Sequence, residues 1–149
     1  MHAALNRALD RLIEIDQYLL DANCSERSLT HRLAVHLEGE FPQYSVDCEY
    51  NRDGFDVKRL QLSERQIRVS DEDLDAVTVF PDIAVHVRGS NAHNLLVIEM
   101  KKAAARADLV DYDLQKLHAF KTQLQYVHAV HVVLGYTRAQ VLTREVHWQ

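Results

Sequence analysis

The chain is short of most features that mark a linker, a covalent staple or a membrane span. Only 4 of its 149 residues are glycine and 2 are proline, which leaves little room for linker or low-complexity segments. Cysteine is as scarce. Cys24 and Cys48 stand too far apart and too alone for a zinc site, and both read as small hydrophobes with no disulfide expected. No apolar run approaches the roughly 20 residues of a bilayer-spanning helix. The opening MHAALNRALDRL scatters charges and has no signal-peptide core. Together these absences make the cytoplasm the expected location and exclude a membrane partner. A basic excess is missing too. Lys and Arg number 17 against 22 Asp and Glu, a formal net charge of −5. That argues against a dedicated high-affinity DNA binder. It does not argue against a nuclease, because a local basic cluster such as Lys101, Lys102 and Arg106, or a bound metal ion, offsets a negative total.

What is present is ordinary for a globular domain, with 47% hydrophobic and 26% charged residues. The length suits one core, and no internal repeat is visible. We therefore expect a single domain over 1–149. Leu5, Leu9, Leu12, Ile13, Leu19 and Leu20 keep helical spacing and predict a helix over about 3–22. A second helix over 25–39 starts at Ser25, a good N-cap, with Leu29, Leu33 and Leu37 as its stripe. Glu26 in its first turn is either a carboxylate favoured by the helix dipole or an acid aimed at a metal. Residues 44–50 alternate and read as a strand. Glu49 on its polar face is more simply solvated than functional. NRDG at 51–54 is a turn signal. Residues 55–76 are irregular, and the acidic 70–75 lacks the glycine and terminal glutamate of a calcium loop.

Two apolar strands, 82–88 and 94–101, follow, joined by a turn at about Gly89 to Ala92. A turn of that length pairs Arg88 with His93, His86 with Leu95, Ala84 with Val97 and Asp82 with Glu99. Opposed residues in an antiparallel pair share a face, and Lys101 points the same way as Glu99. A slip of one residue would separate the two acids. A helix over 106–126 and a strand over 127–134 ended by Gly135 come next. They imply a right-handed βαβ crossover with 94–101 and 127–134 parallel. Residues 141–148 read as a last strand or a short helix.

Two opposed carboxylates repel unless one is protonated or a cation lies between them. Oxygen donors of this kind suit Mg²⁺ or Mn²⁺ and not zinc. A Met100 carbonyl would complete the ligand set, and Lys101 would orient the attacking water or neutralise developing charge. Pro81-Asp82, sixteen intervening residues, and Glu99-Met100-Lys101 resemble the signature of the PD-(D/E)XK nuclease superfamily. The element order also resembles that superfamily's restriction-endonuclease-like αβββαβ core, a mixed α/β sheet flanked by helices, over most of the chain. The resemblance implies Asp82 and Glu99 as metal ligands and Lys101 as the catalytic lysine. Glu26 matches the acid often found on the first core helix, and Lys116 matches a polar or basic position that contacts substrate.

The leading expectation is a Mg²⁺-dependent nuclease acting on DNA or RNA. Its specificity would come from loops 53–76 and 89–93, or from a protein partner or homodimer. The alternatives are an inactive nuclease-fold subunit for nucleic-acid binding or assembly, and a regulatory protein unrelated to nucleic acid. The blandest account of the motif is a surface ion pair between Lys101 and Glu99 with Asp82 at a strand start. Of the nine histidines, only His86, on the Asp82 face, stands out as a site candidate.

Overall fold

The computed structural model describes residues 1–53, 56–57, 59–60, 77–78, 80–103 and 105–149. The acidic stretch 70–75 and most of the loop 53–76 lie outside the described residues. Around it, Arg52–Asp53 pairs with Asp56–Val57, and Arg59–Leu60 with Val77–Thr78.

The first expected helix is two. Helix α1 (His2–Ile15) buries Ala4, Leu5, Ala8, Leu9 and Leu12 on one stripe. The chain leaves helical geometry at Asp16 (φ −106°, ψ 23°) and resumes as α2 (Gln17–Asp21). The Asp16 carboxylate is committed elsewhere. It accepts from Arg32 Nε at 2.8 Å and lies 2.7 Å from His36 Nε2, both on the next helix. The leucine spacing ran through the break and hid it. Helix α3 (Glu26–Glu40) starts at Ser25, whose hydroxyl accepts from the Ser28 amide, and buries Leu29, Leu33 and Leu37.

Five strands form one mixed sheet: β1 (Ser45–Cys48), β2 (Ile83–His86), β3 (Leu96–Lys101), β4 (His128–Tyr136) and β5 (Leu142–Trp148), side by side in that order. The β3–β4 pair is parallel and the others are antiparallel. Helix α4 (Ala107–Leu124) connects β3 to β4 and ends where Gln125 turns left-handed at φ 57°. Counting only the strands of this sheet among the described residues, the order from α3 onward is α, three strands, α, strand, with α1 and α2 before it and β5 after it.

The register of β2 on β3 has the parity the site required: Ile83↔Ile98, Ala84↔Val97, Val85↔Leu96. Continued by one step, it sets Asp82 opposite Glu99, just outside the ladder. The connection is longer than expected, so the Arg88–His93 and His86–Leu95 pairs do not form. Beyond the ladder the Leu95 amide still bonds Val85 O at 3.0 Å. A 3₁₀ turn (Asn91–His93) intervenes instead, started by the Ser90 hydroxyl accepting from the Ala92 amide. Asn94 turns its side-chain amide to Leu124 O at 2.7 Å. Strand β1 stops at Cys48, because Glu49 adopts φ 50°. Strand β4 does not stop at Gly135. It runs through it to Tyr136, with Gly135 at φ 136°, a conformation open to glycine. The segment left open between strand and helix is β5.

The sheet is covered differently on its two faces. Ile83, Val85, Leu96, Ile98, Met100, Val130 and Val132 meet the leucine stripes of α1 and α3. Ala84, Val97 and Ala129 meet Leu117, Phe120 and Leu124 of α4. Among the described residues no helix is long and apolar enough to cross a membrane.

Candidate active site

On the α4 face, the apolar contact gives way to charge at the C-terminal end of β3. Strand alternation sends Glu99 and Lys101 there, and the parallel partner of Glu99 is His131 on β4. Helix α4 adds Asp113 and Lys116, one turn apart, and α3 adds Glu26 from its first turn.

Each charge has an assigned partner. Lys101 Nζ donates to Glu26 Oε1 at 3.1 Å and lies 3.0 Å from Asp113 Oδ2. Lys116 Nζ donates to Glu99 Oε2 at 2.6 Å. The surface pair of Lys101 with Glu99 does not form, because each residue is held by another. Asp82 bends back to the strand end, where its Oδ2 accepts from the Met100 amide at 2.7 Å. The Met100 side chain is buried in the opposite core, and its carbonyl oxygen lies 3.5 Å from Lys101 Nζ. Glu26 Oε2 also accepts from the Lys102 amide at 3.2 Å. Lys102 Nζ in turn donates to the carbonyl and side-chain oxygens of Asn23 and to Cys24 O, which ties the turn before α3 to the end of β3. Glu26 is therefore engaged across the fold and not merely by its own helix.

Burial sets the protonation behaviour. Desolvation pushes the fully buried Glu99 carboxyl well above its usual value, with Lys116 opposing. Burial raises Asp82 too, against the Met100 hydrogen bond. For Lys101 burial favours the neutral form, but Asp113 and Glu26 outweigh it and raise the ammonium's pKa. Burial acts against the Asp113 carboxylate, yet His131 and Lys101 outweigh it and hold its pKa down. Three buried polar atoms have no hydrogen-bond partner among the described residues: Glu99 Oε1, Asp113 Oδ2 and His131 Nε2. The last two lie 3.7 Å apart, and the Lys101 contact to Asp113 Oδ2 is close without being aligned.

A cavity of about 630 Å³ opens beside this cluster, lined by Glu26, Arg27, His31, Cys48, Glu49 and Asp82 among others. Glu99 is fully buried and does not line it. Glu49, expected to be solvated on the polar face of its strand, reaches this cavity and pairs with Arg27 at 2.7 Å.

No protein-family model, curated protein or solved structure matches this chain. The site therefore has to be judged on its own chemistry. Four carboxylates (Glu26, Asp82, Glu99, Asp113) face two lysines (Lys101, Lys116), an excess of acid in a desolvated place. Oxygen donors, excess acid and the orphaned Glu99 Oε1 fit a hard divalent cation such as Mg²⁺ or Mn²⁺. In the arrangement as it stands, no three His, Cys, Asp or Glu among the described residues converge on one point. The lysines occupy the carboxylates instead.

Every residue singled out from the motif (Asp82, Glu99, Met100 and Lys101) lies in this cluster, with Glu26 and Lys116. Sequence reasoning missed Asp113 and His131 as members. The available signal was weak: Asp113 stands one turn before Lys116, and His131 interrupts the apolar run of β4. His86 belongs elsewhere. It is buried against Asp47 Oδ2 at 2.9 Å, beside Arg88, and is no part of the cluster.

Proposed function

We propose that this chain is a divalent-cation-dependent nuclease of the PD-(D/E)XK type, with a restriction-endonuclease-like core, hydrolysing phosphodiester bonds of nucleic acid. The observation that carries the reading is the β2–β3 register. It sets Asp82 opposite Glu99 and aims Lys101 to the same face, beside a cavity that Asp82 and Glu26 line. Mg²⁺ or Mn²⁺ held by Asp82, Glu99 and the Met100 carbonyl, with Glu26 nearby, would supply Lewis acidity toward a phosphate oxygen and a bound water. The chain's own residues do the rest. Lys101, kept protonated by Asp113 and Glu26, offsets negative charge as water attacks phosphorus and the P–O bond to the leaving oxygen breaks. Asp113 holds that lysine in place, and Lys116 neutralises Glu99, a role that a bound cation would share. Arg27 and His31 stand on the cavity wall where a phosphate would enter.

One observation favours a second reading, an inactive nuclease-fold subunit for binding or assembly. Glu99 is fully buried and already neutralised by Lys116 at 2.6 Å. Titration calorimetry with Mg²⁺ and Mn²⁺, beside cleavage assays on supercoiled plasmid and on single- and double-stranded DNA and RNA, separates the two. Metal heat with cleavage supports the nuclease. Neither metal heat nor cleavage of any substrate overturns it and leaves the inactive subunit.

A further inference from the structure

Strand β5 pairs with β4 from Val130↔Trp148 to Tyr136↔Leu142, and among the described residues nothing pairs with its other edge. The parity of that edge follows from two flanking bonds. Gln149 N donates to Ala129 O and Thr137 N to Val141 O, each at 2.9 Å. Odd-numbered residues therefore turn their amides and carbonyls toward β4. Leu142, Arg144, Val146 and Trp148 turn theirs outward. Of the devices that normally blunt an open edge, proline, lysine and a glycine bulge are absent from LTREVHW, and charge is present only as Arg144 and Glu145.

We propose that β5 pairs antiparallel with β5 of a second copy of this chain, about a two-fold axis at Val146. The side chains select that register. An axis at Arg144 sets arginine against arginine, and one at Glu145 sets glutamate against glutamate. Like charges directly opposed in a ladder are destabilising. An axis at His147 sets two imidazoles face to face. The axis at Val146 opposes valine to valine once, and Glu145 to His147 and Arg144 to Trp148 twice each. Glu145 and His147 already lie 3.1 Å apart within the strand, both side chains 55% exposed. The second copy closes them into a ring of alternating acid and imidazole. On the other face Arg144, anchored to Asn6 and Asp10 of α1, comes beside the partner's indole, a favourable cation–π position. The outward N–H and C=O groups of Arg144, Val146 and Trp148 all gain partners, and two five-stranded sheets become one. This assembly is independent of the reaction assigned to the site.

Sedimentation equilibrium of the full chain over a concentration series tests it, with Val146→Pro, Glu145→Lys and the double variant Glu145→Lys/His147→Glu. The wild type is expected to be a reversible dimer. Val146→Pro removes an N–H that points away from β4, so it should leave the fold intact and the chain monomeric. Glu145→Lys should raise the dimer dissociation constant about tenfold, and the double variant should restore it. A wild type that is monomeric at every concentration, or a dimer that none of these changes weakens, overturns the proposal. If Val146→Pro disturbs the fold, the charge swap and its rescue decide alone. Failure of the rescue overturns the Val146 register.

Discussion

The two faces of one sheet are built on opposite principles. Toward α1 and α3 the strands present Ile83, Val85, Leu96, Ile98 and Val132 to leucine stripes, and burial of apolar surface is the main contact between the layers. Toward α4 the same strands present Glu99, Lys101 and His131, and the helix answers with Asp113 and Lys116, nearly all of them buried. Apolar contacts are tolerant and non-directional. Buried ion pairs are weak or neutral for stability, because desolvation offsets their attraction, yet breaking one by removing a partner is costly. Cohesion alone does not call for Glu99 and Asp113 buried on the second face, with Asp82 and Glu26 at its edge. The difference teaches that cohesion on the α1/α3 face is mainly apolar, whereas the α4 face combines an apolar patch with a buried charge cluster, the place where the proposed chemistry would act.

The sharpest way to break that comparison is Lys101→Ala. It should lower cleavage about 10²–10⁴-fold, the usual range for losing a positioned acid–base or charge-stabilising group. Steady-state cleavage of plasmid under Mg²⁺, with circular dichroism to confirm folding, checks it. Full activity in this variant would remove Lys101 from the site. Lys116→Met comes next and bears on stability. It strands a fully buried Glu99 and should cost about 3–5 kcal/mol, less to the extent that Glu99 takes up a proton, which its burial already favours. Adding Glu99→Gln should recover most of that loss. Urea unfolding of both singles and the double gives the coupling directly. If Lys116→Met alone costs no more than the double, Lys116 does not neutralise Glu99.

The two faces also differed in how well they could be read beforehand. The leucines of α3 and the Ser25 cap follow from spacing and local capping chemistry, and both were legible. So was the parity of Asp82 with Glu99, because the alternation of a strand leaves only two choices. The partners of Lys101 were not legible. Glu26 and Asp113 come from two different helices, and no periodicity links a charge to a partner that only tertiary folding delivers. The same limit explains the break at Asp16. Leu12, Ile13, Leu19 and Leu20 keep the helical rhythm across it, while the Asp16 side chain at the break bonds two residues of α3. The extension of β4 through Gly135 was masked for a related reason. Glycine marks a possible turn, and the β5 ladder, invisible in local sequence, holds it in a strand.

On the apolar face the matching perturbation is Leu33→Ala. Leu33 is fully buried between α1 and the sheet. Its truncation should cost about 2–5 kcal/mol in unfolding free energy, while the cleavage rate of folded protein stays at the wild-type value. Denaturant unfolding and a rate normalised to folded protein check the two halves. A fall in rate as large as that of Lys101→Ala would erase the division of labour between the faces.

The smallest effect concerns a polar clip on the apolar side, Asp16 with Arg32 and His36. Burial works against the Asp16 carboxylate, but hydrogen bonds from His36 and Arg32 outweigh it and hold its pKa below the ordinary 3.8. A carboxyl whose pKa is depressed by folding stabilises the native state above its unfolded value, and that contribution is lost as pH falls through the folded one. Asp16→Asn should therefore destabilise the protein by about 1–3 kcal/mol near neutral pH, the range for hydrogen bonds to a charged group. The gap to wild type should narrow below about pH 4 as the wild-type carboxyl protonates. Urea midpoints measured at neutral pH and at successively lower values would show that convergence. A gap that stays constant into the acid range would mean that Asp16 acts by ending α1, through its backbone geometry, and that its ion pairs add nothing to the apolar face.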